Sequence, residues 1–517
     1  MITLESYLCG AWHKGDGQPQ VLINPATEEP LAEASSSGLD LAAAVEHARS
    51  VGGPALRAMT FGERAAMLGA LSKAIHEHRE ALIDVSLANA GSTRGDAKFD
   101  LDGATGTLAA YASFGKRLGD QRFLTDGDGQ QLGRTPRFWG EHVRVPRPGV
   151  AVHINAFNFP GWGMCEKMAC ALLAGMPVIE KPGTPTAMIA ERIARIIVDS
   201  GTLPEGAFQF LCGSAGDLLD HLGPMDCVAF TGSSATGAVI RGNENLVRHN
   251  VRVNIEADSL NSATLGPDVD TDSETYSMFL SNIVTDLTQK AGQKCTAVRR
   301  IFVPEALVEQ VTEDLVGDLS RQKVGDPAEK DTRVGTLTSM GQFQDVRAGI
   351  NRLAEGAKVV CGGADAVSDK GFGIAPTLLV AVDAAAPVFH EFEVFGPVAT
   401  VLPYSGDAAD AIRLVNLGGG GLVTAVYSDD AKWTEEVALG IAPWHGRVWL
   451  GSSRVEGQAT PPGLVLPMSV HGGPGRAGGG EELGGLRGLD FYLQRTAVQG
   501  FQGLVQKRFG ATTTEDA

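Results

Sequence analysis

The feature of this sequence that most constrains its fold is a regular alternation of short apolar runs and helical patterns between residues 151 and 240. The apolar runs predict strands, and the segments between them repeat apolar residues every three or four positions, as amphipathic helices do. Strands and helices that alternate at this length form βαβ units, in which helices cover both faces of a parallel sheet. The predicted strands are Val150–Ile154, Pro177–Glu180, Phe208–Cys212 and Cys227–Phe230, and the predicted helices are Gly163–Leu173, Pro185–Ser200 and Asp217–Leu222.

The rest of the chain predicts a second α/β unit and a few outlying elements. Residues 40–90 carry helical periodicity, and residues 450–488 are rich in glycine, which argues against a sheet there. Tyr492–Val498 alternates like a strand and is expected to pair with residues 130–150 or with another subunit. Strands of the second unit are predicted at Arg300–Val303, Lys358–Cys361, Thr377–Val382 and Val398–Pro403.

Composition excludes several classes of function. Asp and Glu outnumber Lys and Arg by 61 to 43, so phosphate backbones would meet net repulsion and no nucleic-acid partner is expected. The most apolar stretch, from Met164 to Ile179, is interrupted by Glu166, Lys167 and Pro177, so no membrane span is expected. The seven cysteines are scattered, without a CxxC pair or zinc spacing, which predicts a reduced, cytoplasmic protein without a structural metal.

Two glycine-containing motifs are candidates for binding a phosphate group. Phe230–Gly237 follows a predicted strand and opens a predicted helix, where Gly232 would let backbone N–H groups approach an anion. The same residues also fit a plain strand–turn–helix junction with an N-cap. Gly473–Gly478 is a literal GxGxxG, but without a βαβ context it favours a flexible or closely packed loop.

Three residues are candidates for chemistry, and each has a structural alternative. Cys295 could be a nucleophile if its thiol is partly exposed, or it could fill the core, and composition does not rank it above Cys212. Glu256 follows an apolar run and could be a general base or a solvated strand end. Asn158 precedes Pro160 and could stabilise an oxyanion or serve as a turn residue.

Taken together, six motifs occur in a characteristic order along nearly the whole chain. They are Asn158-Phe159-Pro160, Lys181-Pro182, Phe230-Thr231-Gly232-Ser233, Glu256, Gly292-Gln293-Lys294-Cys295 and Glu393-Val394-Phe395-Gly396-Pro397. In this order they resemble the aldehyde dehydrogenase superfamily. The resemblance implies an α/β fold with a Rossmann-like cofactor domain, an α/β catalytic domain and a small β oligomerisation element. It implies a cofactor domain at 1–125 and 147–257, a catalytic domain at 258–465, and oligomerisation strands at 126–146 and 489–506 of a homodimer or a dimer of dimers.

By resemblance, the catalytic residues form a covalent mechanism. Cys295 would attack the aldehyde carbon, and Asn158 would stabilise the oxyanion with the Cys295 backbone N–H. Glu256 would activate the water that hydrolyses the resulting thioester. Lys167 and Glu482 match positions that relay protons in some members of the superfamily.

The resemblance also implies a nicotinamide cofactor. The pyrophosphate would lie near Gly232 and Ser233, Glu393 and Phe395 would hold the nicotinamide end, and Lys181 would lie at the adenosine ribose. The position of Thr184 often carries Glu in NAD-preferring members, so Thr184 beside Lys181 predicts NADP over NAD. Ile154, Gly213 and Phe230 match positions that line the adenosine part.

One departure from the superfamily narrows the expected substrate. Asp258-Ser259 replaces the usual glycines after Glu256, which puts a mobile Glu256 in doubt. Glu256–Asn261 and the tail His471–Leu486 resemble a subgroup that oxidises ring-cleavage aldehydes of CoA-activated aromatic acids. Because the chain stops at Ala517 without a hydratase domain, the benzoate-degradation branch is the better fit, and its substrate is the CoA-linked 3,4-dehydroadipyl-CoA semialdehyde.

Two other activities stay open on the sequence alone. A CoA-acylating dehydrogenase would transfer the acyl group to CoA instead of water, but such enzymes generally lack the base corresponding to Glu256. A cysteine hydrolase would use Cys295 without any nicotinamide cofactor.

Overall fold

The computed structural model describes residues 1–510 and contains two seven-stranded sheets. In the first sheet, five strands are parallel and follow the order 5-4-1-2-3 in chain sequence, the Rossmann arrangement, and two antiparallel N-terminal strands extend the edge. Across this sheet the strands are Arg252–Glu256, Cys227–Thr231, Ala151–Ile154, Val178–Lys181, Phe208–Phe210, Ser6–Leu8 and Ala11–His13.

The order of these strands locates a binding crevice. The strand order reverses between Ala151–Ile154 and its neighbour Cys227–Thr231, which pair in parallel from Ala151 with Cys227 to Ile154 with Phe230. In open α/β sheets, ligands bind outside the carboxyl ends of the strands at this switch point. Asn158 and Gly232, which follow these two strands, therefore lie at the same edge.

The first sheet is covered by helices on both faces, as the alternating pattern predicts. Trp162–Ala174 is buried on nearly every side, which explains why its sequence is the most apolar of the chain. The helices of this part are Leu41–His47, Gly53–Ala58, Phe61–Glu77, Arg79–Ala90, Arg94–Leu118, Trp162–Ala174, Ala187–Asp199, Ser234–Arg241 and Glu244–Arg248. The segment expected as a helix at Asp217–Leu222 is a single 3-10 turn, Leu218–His221.

The second sheet is parallel except at one edge, where Ala357–Cys361 runs antiparallel to its neighbour. All four predicted strands are present within one or two residues, but three others were not predicted. The missed Gly421–Tyr427 is buried throughout, and a short strand buried on both faces has no alternation to reveal it. In order, the strands are Ala357–Cys361, Thr377–Ala381, Val398–Tyr404, Arg300–Pro304, Ser262–Leu265, Gly421–Tyr427 and His445–Gly451.

Helices pack on this second sheet and on the small C-terminal sheet. The longest, Glu274–Thr288 and Met340–Ala354, both begin at a serine whose side chain accepts an N–H from the first turn. The helices are Glu274–Thr288, Val308–Leu319, Met340–Ala354, Val388–Glu391, Ala408–Asn416, Ala431–Ile441 and Gln502–Phe509.

Smaller sheets complete the molecule. Leu493–Phe501 pairs antiparallel with Phe138–Pro146 over nine residues, so the expected terminal strand joins residues 130–150 within one chain. Leu124–Thr125 and Gln130–Gln131 extend this sheet. A separate sheet contains Ile2–Thr3, Pro30–Ala34 and Gln20–Ile23. No helix within residues 1–510 is long and apolar enough to cross a membrane.

The prediction that residues 450–488 form no sheet is wrong. Val470–Gly473 and Gly480–Leu483 make an antiparallel hairpin. Glycine makes this possible, because a Cβ on Gly472 would lie 2.2 Å from the backbone oxygen of Gly480. The turn of the hairpin packs tightly on the strand that ends at Glu256, since a Cβ on Gly478 would lie 2.3 Å from the Ile255 oxygen. The literal GxGxxG is thus a closely packed loop.

Candidate active site

Cys295 lies on a strained loop after helix Glu274–Thr288. Lys290 and Ala291 both have left-handed backbone angles, with φ of 53° and 51°, which non-glycine residues rarely adopt. Such a conformation persists only where the surroundings enforce it. Here the Asn261 side chain donates to the Cys295 backbone oxygen at 2.7 Å, which anchors the loop at the second sheet.

The cation next to Cys295 in sequence does not face its sulfur. Lys294 Nζ donates to Asp286 Oδ1 at 2.7 Å and to Gln289 Oε1 at 2.9 Å, and its side chain is buried. Lys294 therefore supports the loop, and any charge that acts on the thiol comes from elsewhere.

Two polar side chains lie against the Cys295 sulfur. His471 Nε2, on the hairpin strand Val470–Gly473, lies 3.9 Å from Cys295 Sγ and 2.9 Å from Glu256 Oε2. Glu256 ends the strand Arg252–Glu256 of the first sheet, so the first sheet, the hairpin and the loop before the strand Arg300–Pro304 each contribute one of the three residues. The His471 and Glu256 side chains are only 3% and 2% exposed, so water screens this contact weakly.

The electrostatics of this cluster favour an ion pair between His471 and Glu256. Burial opposes the charge of the His471 imidazole, but Glu256 raises the pKa of His471 above its ordinary value. Burial likewise opposes the Glu256 carboxylate, but His471 and Lys167 lower its pKa to about 2. Burial and the Glu256 and Glu166 carboxylates raise the pKa of Cys295 well above its ordinary value. The thiol thus lies beside a buried imidazolium–carboxylate pair.

Asn158 lies against the loop that carries Cys295. Its Nδ2 donates to the Gln293 backbone oxygen at 3.0 Å, and the side chain is buried. The turn that presents it is held by Asp100, which accepts hydrogen bonds from the N–H groups of Gly161 at 3.1 Å and Trp162 at 2.7 Å. An amide fixed at this position can donate to an oxygen that develops charge beside the sulfur.

A second group of charged side chains lies next to the cluster of Cys295, Glu256 and His471. Lys167 Nζ lies 3.3 Å from Glu482 Oε2 and 3.5 Å from Glu166 Oε1, and Asn254 donates to Glu482 Oε1 at 3.1 Å. Burial raises the pKa of Glu166 to about 7 in spite of Lys167 and His471. Glu166 is therefore a buried carboxyl that exchanges its proton near neutral pH, as a proton relay requires.

Two cavities meet at Cys295. One is walled by Phe99, Phe159 and Trp162. The second opens over the switch point and is lined by residues that include Gly232, Ser233, Glu393 and Phe395. The residues lining both cavities are Ala156, Asn158, Thr231, Glu256 and Cys295.

The second cavity has the features of a dinucleotide cleft. A Cβ on Gly232 would lie 2.5 Å from the Phe230 ring, so only glycine fits there. Ser233 accepts the Thr236 N–H at 3.3 Å and caps the helix Ser234–Arg241, whose N-terminus favours an anion. Ile154 and Phe230 are buried below at the ends of adjacent strands.

Lys181 and Thr184 lie beyond this cleft. Lys181 Nζ donates to the Pro182 oxygen at 3.0 Å, and burial lowers the pKa of Lys181. No ion pair within residues 1–510 involves Lys181. Thr184 Oγ1 reaches the Gly213 oxygen at 3.5 Å, and Gly213 has a left-handed φ of 108°. A half-buried ammonium without a carboxylate partner fits an anionic ligand.

At the opposite end of the cleft, Glu393 is firmly held. Its Oε1 accepts from Arg299 Nε at 3.2 Å, and its Oε2 accepts from the Ser259 N–H at 2.9 Å. Burial raises the pKa of Glu393 although Arg299 opposes the shift. The Arg299 guanidinium also lies 5.5 Å from the centre of the Phe395 ring, so one cation positions both residues.

Asp258 lies at the helix end where the pyrophosphate is expected. Its Oδ1 accepts the Ser234 N–H at 3.0 Å, and Ser234 begins the helix Ser234–Arg241. Asp258 thus brings a negative charge into the cleft and holds the backbone just after Glu256.

The donor atoms of Glu256, Cys295 and His471 lie within 4.8 Å of one another, and within residues 1–510 no other such cluster of His, Cys, Asp and Glu is found. These three side chains could bind zinc, but the ion would then be bound to the Cys295 sulfur, which lies between the two cavities. We therefore treat the cluster as a site of proton transfer, and the expected absence of a metal stays a prediction.

The structure adds three residues that the sequence did not single out for chemistry: His471, Glu166 and Arg299. His471 is a lone histidine in a glycine-rich run, without a periodicity that would orient it. Glu166 interrupts an apolar helix, and a carboxylate inside such a helix is a signal that could have identified it. Arg299 lies just before a strand and carries no distinguishing pattern.

Comparison with known proteins identifies the class to which this fold and site belong. The sequence profile of the aldehyde dehydrogenase family matches residues 12–498, and the chain belongs to that family. Within the family, it is similar to the 3,4-dehydroadipyl-CoA semialdehyde dehydrogenase of Aromatoleum evansii, with 45% identity over 480 residues that cover 92% of this chain and 93% of that protein. The predicted family and fold class are confirmed.

Solved structures agree. The NAD+ complex of an aldehyde dehydrogenase from Bacillus cereus has a TM-score of 0.84 and 26% identity, and the match covers 96% of each chain. A betaine aldehyde dehydrogenase from Staphylococcus aureus has a TM-score of 0.83 and 25% identity, and the match covers 96% of this chain and 95% of the other.

Proposed function

We propose that this aldehyde dehydrogenase oxidises a CoA-linked aliphatic semialdehyde, 3,4-dehydroadipyl-CoA semialdehyde, to the carboxylic acid with NADP. The carrying observation is that Cys295 lies in the wall shared by the two cavities. Substrate in the aromatic cavity and cofactor in the switch-point cleft would reach the same sulfur from opposite sides.

The cavity and the similar protein both support this substrate. Phe99, Phe159 and Trp162 pack edge to face, with ring centres 5.2 to 6.0 Å apart, and form an apolar wall for an aliphatic chain. The relative with 45% identity is named for 3,4-dehydroadipyl-CoA semialdehyde. Oxidation of this substrate would place the enzyme in aromatic compound catabolism, in the degradation of benzoate.

The residues around Cys295 supply each step of the chemistry. The Cys295 thiolate attacks the aldehyde carbon, and Asn158 Nδ2 donates to the oxygen of the resulting thiohemiacetal. A nicotinamide held by Glu393 and Phe395 would supply the hydride acceptor, and loss of hydride from the thiohemiacetal would leave a thioester on Cys295. Glu256 takes a proton from the water that hydrolyses the thioester. Lys167 and Glu482, with Glu166 between them and the cluster, carry that proton onward.

The cofactor proposal rests on Lys181 and Thr184. The ammonium of Lys181 lacks a carboxylate partner within residues 1–510, and a ribose 2′-phosphate would provide the missing charge. Thr184 adds a hydroxyl and no negative charge. The structure of the similar Bacillus cereus enzyme is a complex with NAD+. A preference of this chain for NADP would therefore differ from the cofactor bound in that structure.

The sheet formed by 126–146 and 489–506, with the short strand Leu124–Thr125 at its edge, is proposed to join subunits of a homodimer, or of a dimer of dimers. These segments form a sheet of their own beside the cofactor domain, 1–125 and 147–257, and the catalytic domain, 258–465. All seven cysteines are free, which fits the proposed cytoplasmic location.

Reduction of NADP by a CoA-linked semialdehyde, followed by the absorbance of the reduced nicotinamide, tests the proposal. Wild type is expected to reduce NADP and release free acid, whereas Cys295→Ala is expected to be inactive. Consumption of free CoA would show a CoA-acylating enzyme instead, and thioester hydrolysis without NADP would show a cysteine hydrolase. Activity of Cys295→Ala, or no oxidation of any aldehyde by wild type, would refute the mechanism.

A further inference from the structure

His471 has no task in the mechanism above, although it touches two residues that do. Its Nε2 faces both Cys295 Sγ, at 3.9 Å, and Glu256 Oε2, at 2.9 Å. Its other nitrogen, Nδ1, is buried and has no hydrogen-bond partner within residues 1–510. Nε2 is therefore the His471 nitrogen that faces the nucleophile, Cys295, and the base, Glu256.

We propose that His471 is a further catalytic residue, whose imidazolium pairs with the Cys295 thiolate while Glu256 holds the ring in place. This inference rests on the proposed function, since it takes Cys295 as the nucleophile. It makes the site a Glu256–His471–Cys295 triad in which His471 carries the charge that the thiolate needs.

The surroundings of the sulfur require such a cation. Burial and the carboxylates of Glu256, Glu166 and Glu393 all disfavour a negative charge on Cys295. Lys294, the neighbouring cation in sequence, is paired with Asp286. His471 is the cationic side chain that contacts the sulfur within residues 1–510.

The charged groups that act on His471 come from several elements. Glu256 and Glu166 favour its protonation, whereas burial and Arg447, on the strand His445–Gly451, oppose it. Because Glu256 is in direct contact, its effect prevails and His471 keeps its proton beside the sulfur.

The backbone that follows Glu256 is held in place by hydrogen bonds. The Ala257 N–H donates to the Ala477 oxygen at 3.0 Å, and the Ser259 N–H donates to Glu393 at 2.9 Å. The Asp258 carboxylate is bound to the Ser234 N–H. With the backbone after Glu256 held at three successive residues, its carboxylate stays in contact with both the Cys295 thiol and His471.

The proton balance is simple. The Cys295 S–H bond breaks and its proton passes to solvent, while the His471 imidazolium keeps both of its N–H bonds. The electron pair stays on sulfur, and the thiolate pairs with the imidazolium while Glu256 remains ionised. The cluster has released one proton, and no other reactant is needed.

Alkylation of Cys295 by iodoacetamide as a function of pH tests the proposal without cofactor or aldehyde. Modification is quantified at Cys295 by mass spectrometry, because Cys9 is exposed and would also react. The variant is His471→Gln, whose amide can still donate to Glu256 but cannot take up a proton. Loss of a cation in contact is expected to raise the apparent thiol pKa by about 1–3 units, which lowers the alkylation rate at pH 7 about 10- to 1000-fold.

His445→Asn is the matched control. His445 is also buried, on the strand beside the hairpin, and its Nδ1 bonds the Ile441 oxygen at 2.8 Å, a contact that the Asn amide can keep. This variant should leave the alkylation profile of Cys295 unchanged. Thermal melts of all variants, and profiles with and without EDTA, separate the charge effect from unfolding and from bound zinc.

Two results would overturn the role of His471. One is an apparent pKa in His471→Gln within about 0.3 units of wild type, far below the shift expected from a charge in contact. The other needs no variant: a wild-type profile with a single inflection, since a coupled thiol–imidazole pair titrates in two steps. A failure of the proposed function appears instead as a lack of semialdehyde oxidation and leaves these profiles readable.

Discussion

Replacing Thr184 by Glu is expected to reverse the NADP preference that we propose for this enzyme. Thr184 contacts the Gly213 oxygen and the Lys181 ammonium lies near Cys212, so the new carboxylate would lie in the neighbourhood of Lys181 and take the place of a ribose 2′-phosphate. Thr184 itself makes only a long contact of 3.5 Å to the Gly213 oxygen, so its loss should disturb the fold little.

The size of the effect follows from the charges. Two unit charges about 4 Å apart interact by about 4 kcal/mol at an effective dielectric constant near 20. Because Lys181 and Thr184 are half-buried, solvent reduces this value, and we expect about 1.5–3 kcal/mol. The kcat/KM for NADP should therefore fall about 10- to 150-fold relative to that for NAD.

The assay is the ratio of kcat/KM for NADP and NAD with one aldehyde at two ionic strengths. Thr184→Gln is the control, because Gln has the size of Glu without its charge and should change the ratio much less. Salt should narrow the difference between the Glu and Gln variants. An unchanged ratio in Thr184→Glu, or an equal change in both variants, would refute the assignment of Lys181 and Thr184 to the 2′-phosphate.

Three further predictions concern the catalytic cluster. Glu256→Gln should slow thioester hydrolysis about 10²- to 10⁴-fold; a burst of reduced cofactor should remain in stopped flow but be slower than in wild type, because the variant loses the carboxylate beside His471, and steady-state turnover close to wild type would contradict the role of Glu256 in hydrolysis. Asn158→Ala should lower kcat about 10²- to 10³-fold in steady-state assays with little change in melting temperature, and near-normal kcat would exclude an oxyanion role. Glu166 has a pKa raised to about 7, so the stability it contributes is complete below its unfolded pKa and is lost as the pH rises through 7. The melting temperature of Glu166→Gln should therefore rise relative to that of wild type as the pH increases from 5 to 8. A difference in melting temperature that does not change with pH would contradict the raised pKa of Glu166.

The parts of the fold that the sequence predicts well are those with a strong local pattern. The first sheet alternates strand and helix with clear periodicity, so each predicted strand lies within two residues of the observed one. In the second sheet, Gly421–Tyr427 was not predicted, because it is buried on both faces and its one threonine, Thr424, gives no alternation to mark the pleat. The hairpin Val470–Gly473 and Gly480–Leu483 escaped prediction because it depends on the close approach of glycine backbones.

The candidate site, too, could be predicted from the sequence only in part. Cys295, Glu256 and Asn158 are singled out by the order of six motifs along the chain, since each residue alone has a structural alternative. Their environments could not be predicted in this way. Lys294, which is adjacent to Cys295 in sequence, faces Asp286, and Asp258 contacts the N-terminus of a helix.

The sequence by itself determined the α/β class and the family resemblance that makes Cys295 the candidate nucleophile, because periodicity and short motifs are encoded by neighbouring residues. Only the tertiary structure decided which charges surround that nucleophile. His471 is 176 positions from Cys295, and it reaches the sulfur because a glycine hairpin packs on the strand that carries Glu256. The electrostatic energy of a buried charge depends on distance in space, so a lone imidazole among glycines acquires its role only when the chain has folded.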